Sequence, residues 1–181
     1  MIWFTADFHL THANIIKYCK RPFISVEEMD STLLDNLASQ VKPGDQLYYL
    51  GDLSFKADAA NVFFELMKGV NIHFITGNHD SKAVISLARR HCASVTSLQD
   101  IEIDGQAITL CHYAMRVWNG SHFNAWQLYG HSHGTLPSVG KQHDVGVDAN
   151  DFFPVALDGI KRIMEDKPDN FDRLAPENIN R

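Results

Sequence analysis

The chain has 181 residues, 45% hydrophobic and 21% charged, the composition of one ordinary soluble domain that can bury a core without disulfides. Sixteen Lys and Arg against 22 Asp and Glu leave a net charge of −6, which argues against wrapping duplex nucleic acid or lying on an anionic membrane. Disorder and coiled coil do not fit this composition, and no stretch approaches the ~18 uninterrupted apolar residues of a membrane span.

The first strand is expected over Ile2 to Ala6, ending at the polar run Asp7-Phe8-His9-Leu10-Thr11-His12, where a loop begins. Ser25-Val26-Glu27-Glu28 reads as a capping box, and Met29, Leu33, Leu34, Leu37 and Val41 then keep helical spacing until Pro43-Gly44-Asp45. A strand over Gln46 to Leu50 stops at Gly51-Asp52, and a helix from Ala57 to Lys68 is capped by Gly69. Val70 to Thr76 is the third strand, ending at Gly77-Asn78-His79-Asp80, and Lys82 to His91 the third helix. Such alternation predicts a mostly parallel sheet with its strand ends on one edge.

After residue 94 the chain becomes strand-rich. Ile101-Glu102-Ile103 and Ala107 to Cys111 flank the hairpin signal Asp104-Gly105, with further strands near Trp126 to Tyr129 and His143 to Val147 and a helix from Leu157 to Glu165. One domain over 1–166 is expected, followed by a polar tail at 167–181. The start lacks the charged leader and apolar core of a signal peptide, and Cys19, Cys92 and Cys111 have no metal-type spacing. Reduced thiols in a cytoplasmic protein are the expectation.

Four predicted strands end in polar residues able to bind metal: Asp7 and His9, Asp52, Asn78 to Asp80, and His131 to His133; a fifth ends in His112. Open sheets bind ligands at the carboxyl ends of their strands, so the five clusters are expected to converge on one crevice. Mixed oxygen and nitrogen donors without cysteine favour a catalytic site over a closed structural zinc.

In these motifs the sequence resembles the calcineurin-like metallophosphoesterase superfamily, whose pattern runs Asp-x-His, Gly-Asp, Gly-Asn-His-Asp/Glu, His, Gly-His-x-His. The resemblance implies an α/β four-layer sandwich of two mixed sheets flanked by helices, here small and without a cap. It also implies two divalent cations, manganese first, with iron, nickel or zinc as alternatives. One would be held by Asp7, His9, Asp52 and His133; the other by Asp52, Asn78, His112 and His131, so that Asp52 bridges.

The implied activity is hydrolysis of a small phosphomonoester, phosphodiester or nucleotide by a hydroxide shared between the cations, with His79 protonating the leaving group. A nuclease on single-stranded or short nucleic acid, or a non-catalytic scaffold of the same fold, are the alternatives; no membrane partner is expected. The pattern departs from the family at Phe55, where many members have an acid that orients the histidine; Asp80 or Asp58 could replace it. His12, Arg21 and Arg116 are candidate substrate-binding residues, with Asn14 and Lys17 nearby. Trp118 either stacks on a substrate ring or packs its loop, and Asp148 either lines the site or caps a turn.

Overall fold

The structure is a computed structural model and describes residues 1–170. β1 (Ile2–Thr5) runs into the segment carrying Asp7 and His9, and a short helix, α1 (Ala13–Tyr18), follows where a loop was expected. Six residues are too few to show a helical period, and Ile15 is the only buried one among them. α2 (Val26–Gln40) starts at Ser25, whose Oγ accepts the Glu28 N–H at 3.1 Å, while Glu28 reaches back to the Ile24 N–H at 2.7 Å, one residue beyond the N-cap N–H that a strict capping box uses. Ser25→Ala is therefore expected to cost about 1 kcal/mol. A chemical denaturation midpoint that does not move would refute it.

β2 (Gln46–Tyr49), α3 (Ala57–Leu66), β3 (Asn71–Ile75), α4 (Lys82–His91) and a short β4 (Ser94–Thr96) continue the alternation. β5 (Leu98–Ile103) and β6 (Gln106–Cys111) form the hairpin, with Asp104 and Gly105 at φ 53° and 79°, the left-handed pair that a two-residue turn requires. β7 (Trp126–Tyr129) and β8 (Gln142–Asp144) follow; β8 is shorter than expected because the Asp144 side chain accepts the Gly146 N–H at 2.8 Å and turns the chain. β9 (Val155–Ala156) and α5 (Leu157–Glu165) complete the described elements.

The strands form two mixed sheets, ordered β4-β3-β2-β1-β9 and β5-β6-β7-β8. In the first, β1 to β4 are parallel and β9 antiparallel; in the second, β5 is antiparallel to an otherwise parallel trio. Period-two alternation divides the apolar residues between two cores. Trp3, Leu47, Tyr49, Ile72 and Phe74 pack with Met29, Leu33, Leu37, Phe63 and Val84 of the helices. Phe4, Tyr48, Leu50 and Ile75 meet Ile108, Leu110, Trp126 and Leu128 of the second sheet, and Leu157, Ile160 and Met164 of α5 join that second core. The fold is thus the expected α/β sandwich of two mixed sheets flanked by helices.

Thr109, Gln127 and Gln142 of the second sheet are buried, and the two glutamines tie the segment 113–125 to it. Gln127 accepts the Met115 N–H at 3.0 Å and donates to the Tyr113 carbonyl at 2.9 Å. Trp118 is buried and donates its indole N–H to the Ala125 carbonyl at 3.1 Å, so of its two expected roles it takes packing. Residues 167–170 are fastened down, Asn170 donating to the Ser121 and Arg116 carbonyls at 3.0 and 2.9 Å; the rest of the expected tail, 171–181, lies outside the described residues. No helix among the described residues is long and apolar enough to cross a membrane.

Candidate metal centre

β1, β2, β3, β6 and β7 all point their carboxyl ends at one crevice. There the side chains of Asp7, His9, Asp52, Asn78, His112, His131 and His133, spread over 127 residues of sequence, come together. Two groups have ligand atoms within 4.8 Å of one another: Asp7, His9 and His133, and Asp52, His112 and His131. Asp52 stands between them, its Oδ2 3.5 Å from His9 Nε2 and 3.3 Å from His112 Nε2. Asn78 Oδ1 lies 3.2 Å from His112 Nε2 on the second group's side.

The backbone is bent to present these groups. Asp7, His9, Asp52, His131 and His133 all have φ between 48° and 65°, a left-handed conformation that is uncommon for non-glycine residues and that clusters at functional sites. The turns are locked by hydrogen bonds from Asp7 N to the Gly51 carbonyl and from His9 N to the Asp52 carbonyl, both 3.0 Å. Asp80 accepts the Asp52, Leu53 and Gly77 N–H groups at 2.8–3.0 Å. Its carboxylate is spent on this loop and does not orient His79; Asp58 lies exposed in the first turn of α3. Position 55 instead sets a phenyl ring edge-on to His79, with centroids 4.8 Å apart.

Close approach explains two of the glycines. A Cβ at Gly77 would stand 2.1 Å from Asp52 Oδ1, and one at Gly130 would stand 2.7 Å from Asp7 Oδ2, so a side chain at either would push a carboxylate out of the crevice.

The unpaired atoms show what these side chains lack. Asp7 Oδ1, Asp52 Oδ2 and both ring nitrogens of His9 are buried without a hydrogen-bond partner. Buried polar atoms are almost always paired, so four together, two of them carboxylate oxygens, form a donor set fitted to cations. Desolvation pushes the Asp7 carboxyl up to about 8 and the His9 imidazole down to about 3. A bound cation would reverse the first of these shifts, by favouring the carboxylate. Burial raises Asp52 too, but the adjacent His112 imidazole and the His79 N–H outweigh it and hold the carboxyl below its ordinary value.

Arg21 requires a correction. Expected at the substrate, its guanidinium is instead wholly buried and its donors are committed. Nε and Nη2 bind the two oxygens of Asp148 at 2.8 and 2.7 Å, while Nη2 and Nη1 also reach the Asp7 and Phe8 carbonyls at 2.6 and 3.0 Å. Asp148 in turn takes His133 Nδ1 at 2.6 Å, so it supports the crevice and does not merely cap a turn. Burial opposes both charges, yet hydrogen bonds from His133 and Arg21 hold Asp148 at about 2, and those to Asp148 and Cys19 push His133 up to about 10.

His12 does lie at the crevice, its ring 5.6 Å from His9 and 6.1 Å from His79, and burial lowers its pKa. Arg116 is exposed on the segment that leaves His112. Sequence reasoning passed over Tyr113, whose hydroxyl donates to Asn78 Oδ1 at 3.3 Å and whose ring packs 4.8 Å from His131. It also passed over Asp144, which takes the Gly134 and Gly146 N–H groups at 2.9 and 2.8 Å. The place of Tyr113 immediately after a strand-ending ligand was the one available signal.

No protein-family profile matches the chain. The uncharacterized protein MJ1445 of Methanocaldococcus jannaschii is 35% identical over 174 residues, covering 91% of each chain. The structure of the Aquifex aeolicus protein of unknown function AQ665 superposes with a TM-score of 0.71 at 23% identity, over 90% of this chain and 98% of that one, a likeness of fold. A novel archaeal phosphodiesterase is similar at a TM-score of 0.47 and 17% identity, over 80% of this chain and 81% of that one.

Proposed function

We propose that this chain, like its 35% identical relative MJ1445, is a calcineurin-like metallophosphoesterase and hydrolyses a small phosphate ester at a dinuclear centre in the crevice. One observation carries the reading: Asp52 Oδ2 lies 3.3 Å from His112 of its own ligand group and 3.5 Å from His9 of the neighbouring group, and, like Asp7 Oδ1, it is buried without a hydrogen-bond partner. Asp7, His9, Asp52 and His133 would hold one cation, and Asp52, Asn78, His112 and His131 the other. When bound, two divalent cations supply Lewis acidity, ionising water near neutral pH and neutralising phosphoryl charge.

The chain's own residues do the rest. Asp52 offers an oxygen to both ligand groups while its other oxygen accepts the His79 N–H at 2.8 Å, which ties the backbone of His79 to the centre. His79, half-buried with its ring 5.1 Å from His9, would give a proton to the departing oxygen. Asp148 holds the Nδ1 side of His133 and so leaves Nε2 for the crevice. His12 flanks His79 and would contact the leaving group. Arg116 remains a candidate contact for the outer end of a substrate.

The test is hydrolysis of p-nitrophenyl phosphate and bis(p-nitrophenyl) phosphate by chelator-treated protein resupplied with Mn, Fe, Ni or Zn. Turnover that requires one of these ions, and falls about 10²- to 10⁴-fold in His79→Ala, is the expected result. No turnover with any ion would leave the scaffold reading instead.

A further inference from the structure

A cleft of about 680 Å3 opens beside His131 and His133, and its remaining walls include Tyr18, Lys20, Thr135 and Leu136. Thr135 Oγ1 is spent on the Ser132 carbonyl at 2.7 Å, whereas the side chains of Tyr18, Lys20 and Leu136 belong neither to the two cores nor to the metal centre. Tyr18 is 72% exposed and Leu136 49% exposed, so an aromatic ring and an isobutyl group face water within one concave wall. Tyr18 also ends a run of edge-to-face rings: Tyr18 to His12 at 6.3 Å, His12 to Phe55 at 5.3 Å, Phe55 to His79 at 4.8 Å. The 47%-exposed Phe55 carries this aromatic wall from the cleft to the group that would protonate the leaving oxygen.

Lys20 adds charge at some cost. It is the left-handed residue that closes α1, at φ 53°, with the Arg21 N–H returning to the Ile16 carbonyl at 2.9 Å. Glycine is the usual residue there, and a lysine costs backbone energy that a functional role would explain.

We propose that this cleft binds the nucleoside arm of a nucleotide-type phosphate ester: the base stacks on Tyr18, Leu136 adds apolar surface, and Lys20 pairs with negative charge on that arm. The assignment rests on the phosphoesterase reading and narrows its substrate class. A cleft of this volume suits a ligand of nucleotide size, and every base offers a π-face to a tyrosine whatever its sequence. A sugar phosphate or an alkyl ester would leave the aromatic wall wet.

The experiment measures affinity, so that it does not depend on turnover. Manganese-loaded protein is titrated calorimetrically with adenosine monophosphate and with ribose 5-phosphate, which share the sugar phosphate and differ in the base. Adenosine monophosphate is expected to bind at least about tenfold tighter, Tyr18→Ala to erase the difference and Tyr18→Phe to keep it. Lys20→Ala is expected to weaken binding and flatten its salt dependence. Equal affinities for the two ligands, no binding of either, or a preference that survives Tyr18→Ala overturns the proposal. Failure to hydrolyse aryl esters with any ion would sink the phosphoesterase reading while this comparison of affinities stands.

Discussion

Asp52→Asn is expected to leave the fold intact and to abolish both two-cation binding and turnover, lowering kcat by about 10³-fold or more. The amide keeps the volume of the carboxylate and can still accept the His79 N–H. What it loses is the anionic oxygen lying 3.5 Å from His9 and 3.3 Å from His112, for which no imidazole can substitute because it cannot serve two cations at once. Removing a buried charge should not lower the melting temperature of the metal-free chain. Added manganese is expected to raise the melting temperature of the unmodified chain but not that of the variant, since a ligand stabilises only the state that binds it. Two equivalents of bound metal by elemental analysis, with turnover within about tenfold of the unmodified chain, would refute the bridging assignment.

Asp148→Ala is the second large effect, and it acts through stability as well as chemistry. Arg21 is wholly enclosed, and its only described carboxylate partner is Asp148, so the truncation strands a guanidinium in the interior at a cost of about 3–5 kcal/mol. For a chain of this size that is a fall in melting temperature of roughly 10 °C. It also frees His133 Nδ1, so the ring loses the contact that fixes its orientation, and metal affinity should drop about 10- to 100-fold. The two effects can be separated. Arg21→Met with Asp148→Leu replaces the ion pair by apolar volume and should recover most of the stability while metal affinity stays low. If affinity returned with stability, Asp148 would be only a structural residue.

The strand ends were legible in the sequence because chemistry and geometry coincide there. Asp7, Asp52, Asn78, His112 and His131 each follow an apolar run, and buried strands cannot tolerate such residues before their ends. The Asp104-Gly105 turn and the Ser25 cap were legible for a similar reason: each is decided within four residues by backbone sterics or one hydrogen bond. α1 and β9 were not, since six and two residues carry no period.

Arg21 shows where local reading stops. An arginine near an Asp-x-His motif could equally serve a phosphate or the fold, and its sequence neighbours do not decide between them. The deciding partner, Asp148, is 127 residues away. Asp80 likewise looked like a replacement for the acid missing at position 55, yet it is consumed by three backbone N–H groups of its own crossing.

The order of elements, the residue types at the strand ends and the family they resemble were therefore determined by the chain's own pattern, because side-chain periodicity and donor chemistry are local properties. Which carboxylate faces which imidazole, which arginine is sealed inside and which aromatic rings line the open cleft were decided only by packing two sheets together. Those pairings join residues from 15 to 127 positions apart, and the burial that makes each one strong exists only once the elements have packed.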